Sequence, residues 1–490
     1  MKFGFAAFLL MVSQVPAVSA EPTFQAVTIE ELRSKLEIQS AELVELRERL
    51  DQREAIYEPV ASELGCGCQS EKRRLPVVVE DTVEPSCAGS STSFHTLRYF
   101  ADYENGFVIR PFDADKHPFQ MKINGWIQFR HHAFIRDVDS WTDNAGVTRP
   151  VRNRNAFDIE RGRLVISGHA ISPRLTYLLQ IDGDTDGFHG VDFFDYWFAW
   201  QCTDRFKLQF GKRKVPADRQ WLLGVRRTRL VDRPMVDDFM RPDRSVGVFG
   251  IGDVGRTGHY EFMIGNGYRT TNLPNELTDD RLAFAATNYF DPWGDFGNGL
   301  VDYEWTEEPL MRLGHSLIYA PHTSDVHGIP LDESDFVRLT DGTRLTELGA
   351  LTPGVTVTDF DIYFYSADIA FRWQGWSMNA EFYLRWIEQI SGDGHLDITD
   401  LLQRGFYVEG GKFLVARKLD FNVRYSQVSG LFNNASEYAA GFNWYPLETQ
   451  KVRITFDVTS LNRSPLQNTA SDIWVGDDGT LLRTQFQAAY

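Results

Sequence analysis

From Phe119 onward the chain alternates between apolar and polar residues. In FQMKINGWIQFR, Phe119, Met121, Ile123, Gly125, Ile127 and Phe129 interleave with Gln120, Lys122, Asn124, Trp126, Gln128 and Arg130. LDFNVRYS sets Leu419, Phe421, Val423 and Tyr425 against Asp420, Asn422, Arg424 and Ser426. KVRITFDV sets Val452, Ile454, Phe456 and Val458 against Lys451, Arg453, Thr455 and Asp457. Successive strand residues point to opposite faces, so a period of two predicts strands with one apolar and one aqueous face. About 16 such segments begin near residues 119, 157, 174, 191, 205, 244, 257, 281, 311, 362, 375, 404, 418, 436, 450 and 480.

The links between these segments also alternate. SPR (172–174), CTDR (202–205), GDVGR (252–256), QGWS (374–377), ARK (416–418) and PLET (446–449) are short. Between them lie long polar links near 136–156, 214–243, 267–280, 322–361, 391–403 and 461–479. A membrane barrel with its ends in the periplasm needs this parity of short inner turns and longer outer loops. DPWGDFGNGLVDYEWTEEPL, 291–310, breaks it, and marks either a missed strand or a periplasmic excursion. LLRTQFQAAY puts Leu482, Phe486, Ala488 and Tyr490 on one face and Arg483, Gln485 and Gln487 on the other. That pattern predicts the closing stave, and it resembles the C-terminal assembly signal of bacterial outer-membrane proteins. The fold class expected is an all-β transmembrane antiparallel barrel of about 16 strands, spanning 113–490.

The N-terminal part has a different texture. MKFGFAAFLLMVSQVPAVSA, residues 1–20, reads as a secretory signal: Lys2, an apolar stretch, then a small-residue cleavage site at Val18-Ser19-Ala20. Over 28–53, Ile29, Leu36, Leu43 and Leu50 repeat every seventh residue, with Leu32, Gln39 and Leu46 between them. This predicts a short α-helical coiled coil in a periplasmic segment, 21–57. Residues 58–112 have no sustained period and read as a linker, partly disordered.

Composition narrows the function classes. The net charge of -18 argues against nucleic acid, whose binders carry a basic face. No apolar run long enough for a helical span follows the N-terminus, which leaves a barrel open. The Cys66-x-Cys68 spacing, with Cys87 and Cys202, matches no zinc pattern. Asp182-Gly183-Asp184-Thr185-Asp186-Gly187 starts like a calcium loop, but Phe193 stands where the final Glu is needed. His131 and His132 are adjacent and face opposite ways in a strand. No catalytic motif appears, so no enzyme, cofactor or metal is expected.

Charge is concentrated in one link. FGKRKVPADRQWLLGVRRTRLVDRPMVDDFMRPDRSVG, 210–247, holds Lys212, Arg213, Lys214, Arg219, Arg226, Arg227 and Arg229, with Asp218 the sole acid between 212 and 229; Arg241 and Arg244 follow. Strand parity adds Lys122, Arg130, Arg161, Arg163, Lys207, Arg424 and Arg453 to the aqueous face. Charges screen over about 8 Å at physiological salt, so local bases outweigh distant acids for a passing ion. The competing role for each Arg is bracing, with Asp158, Glu160, Asp182, Asp237 and Asp238 as candidate partners.

Phe210-Gly211-Lys212 with Pro216, Asp232-Arg233-Pro234, and Pro242-Asp243-Arg244-Ser245-Val246-Gly247 resemble the phosphate-selective porins O and P, as does FDIERGRLVISGHA at 157–170. The resemblance covers Phe119 to Tyr490, is densest over 157–250, and omits the coil-bearing N-terminus. It implies a homotrimeric porin of the bacterial outer membrane, whose third outer loop folds inward and sets the constriction. The function expected is diffusion of small anions, phosphate among them, with the lipid bilayer as surroundings. The alternatives are an unselective porin, or a tether that holds the outer membrane to peptidoglycan through the coil.

Overall fold

The computed structural model describes residues 98–185, 191–268, 279–323 and 337–490. The signal sequence, the coiled coil and the linker as far as residue 97 lie outside the described residues. The described chain opens with a hairpin, β1 (Tyr99–Tyr103) and β2 (Phe107–Pro111). Residues 99–111 were expected within the linker; their alternation is too short to stand out from a Pro- and Ser-rich background.

The staves follow. They are β3 (Gln120–Arg136), β6 (Arg154–Ala170), β7 (Ser172–Gly183), β8 (Val191–Thr203), β9 (Phe206–Lys214), β10 (Arg244–Val254), β11 (Gly258–Gly265) and β12 (Ala283–Phe290). The second half comprises β13 (Leu310–Thr323), β14 (Val357–Trp373), β15 (Trp376–Gly392), β16 (Leu401–Val415), β17 (Leu419–Ser429), β18 (Asn434–Trp444), β19 (Val452–Asn462) and β20 (Gly479–Ala489). A small hairpin, β4 (Ser140–Thr142) and β5 (Thr148–Pro150), sits in the first long link. Each stave pairs antiparallel with the next, and β20 returns to β3 with Gln485 opposite Arg130. The sixteen staves therefore form a closed barrel with no free edge, the only sheet that satisfies its backbone in lipid.

The alternation read from sequence sorts correctly onto the two faces. Phe129, Phe456 and Phe486 are exposed on the outer wall, whereas Arg130, Asp457 and Gln485 between them are buried inside. Reversing that parity would place Arg at the lipid midplane, at a cost of about 2–4 kcal/mol each. Tight turns join the staves at one rim. Gln374 and Gly375 both have positive φ (47° and 80°) between paired Trp373 and Trp376, the two-residue turn whose twist matches a hairpin. The same rim receives the C-terminus: Tyr490 N–H donates to Gly125 carbonyl at 3.0 Å, and its ring lies 6.2 Å from Phe107. Strand β2 pairs with Met121–Ile123 of β3, below the end of β20, and so continues the seam.

The lumen is partly filled. From the long-loop rim come residues 215–243, 337–356 and 463–478, whose apolar side chains, including Met235, Leu339, Leu345 and Leu466, form one buried core. The parity-breaking link after β12 is an inward excursion rather than a strand. Phe296, Leu300 and Asp302 are buried, and Tyr303 packs on Phe413 and Tyr445 at the tight-turn rim.

Candidate functional site

Loop three, 215–243, enters the lumen and is buried over most of its length. Two short helices shape it, α1 (Arg219–Leu222) and α2 (Met235–Met240). Asp218 caps α1 by accepting the Trp221 N–H at 2.8 Å. The first N–H groups of α2 have no intrahelical partner, and the wall supplies acceptors: Met235 N–H donates to Glu437 at 2.6 Å and Val236 N–H to Ser426 at 3.0 Å. Glycine on the wall makes room. A Cβ at Gly441 of β18 would lie 2.9 Å from Leu230, and one at Gly405 of β16 would strike Val236.

Loop three is thus fastened along β15–β19. Arg229 donates to Ser377 and Asn422, both at 2.9 Å, and to the Leu300 carbonyl at 2.6 Å. Arg219 donates to Asn379 and to the Gly299 carbonyl. These two arginines therefore also bind loop three to the inward excursion. On the opposite side, along β3 and β6–β11, a chamber of about 830 Å³ remains. Nine arginines and lysines and six acids line it, together with Trp126, Phe194, Trp197 and Trp221.

The bases expected from sequence divide into four groups. Arg161, Arg163, Lys207, Arg213, Lys214, Arg226, Arg241 and Arg244 line the chamber. Most of them are also braced by acids: Arg163 with Asp182 (2.8 Å), Arg213 with Glu261 (2.7 Å), Arg241 with Asp238 (3.0 Å) and Arg244 with Asp195 (2.7 Å). Lys214 donates to the carbonyls of Trp221 and Leu223. Lys207 and Arg226 make no ion pair among the described residues, and Arg226 rests over the Trp126 ring at 5.5 Å. Arg130 is fully buried in a knot with Glu160 (3.2 Å), Asp232 (3.1 Å) and Asp472 (2.9 Å), and Arg161 shares Asp232. Arg219 and Arg229 are the fasteners just described. Arg227 is exposed at the loop tip and Lys122 is half-buried near the tight-turn rim; neither lines the chamber. Lys212 also lies off the chamber: it pairs with the exposed Val246, and its ammonium donates to the Phe193 carbonyl at 3.0 Å. Gly211, at φ 128°, precedes it.

The acids foreseen as braces meet bases. Asp158 faces His132 at 3.0 Å, and Asp237 faces Arg233 at 3.5 Å. Asp182, the start of the calcium-like stretch, turns instead to Arg163. Cys202 is a free thiol, and the other three cysteines lie outside the described residues. Sequence reasoning missed Arg233, Asp195 and Glu261 as chamber residues; the signal for Glu261 was available, since it shares the face of His259 and Met263 in β11.

Electrostatics within loop three are uneven. Burial pushes the Asp218 carboxyl up to about 7, helped by nearby Glu381. Burial, and then the charge of neighbouring Asp218, hold Asp237 well above the usual carboxylate range. The pair therefore keeps a proton where two carboxylates would repel. Asp232 is held low by Arg161 and Arg130, which overcome its burial. Burial and then neighbouring Arg227 lower Arg226, with no acid acting against them.

No family profile and no curated protein matches this sequence. Solved structures do align. The anion-selective porin from Comamonas acidovorans matches 76% of this chain and 99% of its own at 10% identity, with a TM-score of 0.49. The outer membrane channel DcaP of Acinetobacter baumannii matches 76% and 97% at 9% identity, with a TM-score of 0.47. OmpF of Salmonella typhi, solved with daunomycin, matches 80% and 100% at 10% identity, with a TM-score of 0.48. The chain is similar to these bacterial outer-membrane porins in its sixteen-stranded barrel.

Proposed function

We propose that this protein is a bacterial outer-membrane diffusion channel that passes small anions through the chamber between loop three and β3–β11. The observation that carries this reading is the excess of nine bases over six acids on the chamber wall, with Lys207 and Arg226 free of ion pairs among the described residues. Guanidinium and ammonium groups replace part of an anion's hydration shell by charge-assisted hydrogen bonds. A cation meets the same groups as a barrier. Most chamber arginines are shared with carboxylates, which favours a broad anion preference, inorganic phosphate being one solute among several. The proposal assigns the tight-turn rim and the N-terminal segment to the periplasm. Assembly as a homotrimer belongs to the same reading.

The test is the reversal potential of single channels in a planar bilayer under a potassium chloride gradient, followed by titration with phosphate. Anion-favouring reversal supports the channel reading, and block at low phosphate adds solute binding. Cation-favouring reversal refutes it. The heptad run supports a second role, attachment of the outer membrane to peptidoglycan. Deleting residues 21–57 would then weaken envelope integrity; an unchanged envelope rejects that role.

A further inference from the structure

The hairpin β1–β2 takes no part in the chamber. β20 and Tyr490 cover one edge of β3 from Arg136 down to Gly125. β2 then takes over that edge, with Phe107 opposite Ile123 and Ile109 opposite Met121. β1 lies outside β2, with Tyr103 opposite Phe107, Ala101 opposite Ile109 and Tyr99 opposite Pro111. Directly paired residues share a face of the sheet. Ile123 and Met121 lie on the same face of β3 as Ile127 and Phe129, which are exposed on the outer wall. The hairpin therefore turns Tyr99, Tyr103, Phe107 and Ile109 outward, in line with the wall that faces lipid. Its other face is different: Val108 is buried opposite Lys122, and Arg110 lies over the Phe100 ring at 4.6 Å and meets Glu104 at 2.9 Å.

Tyr99, Tyr103 and Phe107 are 49%, 51% and 56% exposed. Three large rings side by side on one open face mark a contact surface. They continue a row of rings along the seam, Tyr103 to Phe107 at 5.8 Å and Phe107 to Tyr490 at 6.2 Å. Trp373, Trp376 and Trp444 are exposed at the same tight-turn rim. Lys451, in the last tight turn, donates from Nζ to the Tyr103 hydroxyl at 3.1 Å. Rings with an apolar body and a polar tip settle where acyl chains give way to head groups, and an ammonium beside them meets lipid phosphate. A second copy of the chain is the competing occupant. Two strands of five residues offer a face of roughly 16 Å by 10 Å, far below the roughly 800 Å² per partner of a stable interface. We propose that the outward face of this hairpin docks into the head-group interface of the phospholipid leaflet at the tight-turn rim. Tyr103 and Phe107 enter the bilayer there, and Lys451 lies beside the phosphates. The hairpin so extends the aromatic belt of the barrel and covers an edge that β3 would otherwise expose. Such docking needs only a barrel in a membrane and is independent of which ions pass.

The test puts the photoreactive residue p-benzoylphenylalanine into the full chain, one position at a time, in vesicles of phosphatidylethanolamine and phosphatidylglycerol. In place of Tyr103 or Phe107 it should form phospholipid adducts, read by mass spectrometry, at a yield matching that from Phe456 on the outer wall. In place of Phe100, on the opposite face, the yield should be several-fold lower. An equal lipid yield from Phe100 overturns the proposal, as does the absence of adducts from Phe107 while Phe456 forms them. Crosslinking of Phe107 to a second chain instead of lipid overturns it in favour of an interface between copies. Absence of adducts from Phe456 as well would refute the membrane wall and this docking with it. Cation-favouring reversal alongside Phe107 adducts would refute the anion-channel reading alone.

Discussion

The charge balance of the chamber can be inverted with two substitutions. Nine bases face six acids there, an excess of three positive charges. Lys207→Glu and Arg226→Glu each remove one base and add one acid, which turns the excess of three positive into one negative. Both residues lack ion pairs among the described residues, so no brace is broken. A unit charge about 5 Å from a permeating ion in water contributes roughly 0.8 kcal/mol, or about fourfold in local concentration. A change of four charges is then worth about 3 kcal/mol unscreened, and roughly half that at physiological salt. The ratio of anion to cation permeability should fall by about one to two orders of magnitude and cross unity. The assay is the zero-current potential in a tenfold potassium chloride gradient, for each single variant and the pair. The singles should lie between wild type and the double. A double variant that stays as anion-selective as wild type would show that groups outside the chamber set selectivity, and the charge argument would fail.

Other consequences are equally measurable. Removing Arg130 leaves Glu160, Asp232 and Asp472 buried without their shared cation, so Arg130→Met should cost about 3–5 kcal/mol and lower the temperature of the folded-to-unfolded gel-mobility shift. The protonated Asp218–Asp237 pair makes loop three pH-dependent: the folded chain holds a proton that the unfolded chain has released, so this stabilisation is complete at low pH and is lost as pH rises through about 7. Asp218→Asn keeps an oxygen for the Trp221 N–H and carries no charge beside Asp237; the conductance noise of the wild type should rise between pH 6 and 8 while the variant stays flat. Gly441→Val crowds the Phe456 carbonyl of β19 as well as Leu230, so it should loosen the wall and loop three together, raising single-channel conductance and lowering the temperature of the gel-mobility shift. An unchanged conductance would mean that the loop adapts in place.

Periodicity is a local property, and the barrel was legible because of it. A strand that separates lipid from water must alternate, whatever its neighbours do, so the sixteen staves, their inner and outer faces, and the tight turns between them could be placed from the residues alone. The hairpin at 99–111 escaped because five-residue strands carry too few alternations to register. The inward excursion at 291–309 showed only as a break in loop parity; nothing local distinguishes a loop that hangs in water from one that turns back into a lumen.

Site chemistry divides along the same line. The sequence by itself determined that loop three is basic and that Arg130, Arg161 and Arg163 face inward, because composition and parity suffice for both. Only the tertiary structure decided what each base does. Arg219 and Arg229 became fasteners because Asn379, Asn422 and the carbonyls of residues 299 and 300, all distant in sequence, meet them across the lumen. Lys212 left the chamber because its buried ammonium turns to the Phe193 carbonyl on the neighbouring strand β8. Pairing between charges is a through-space property of a few ångströms, and no spacing along a chain encodes it.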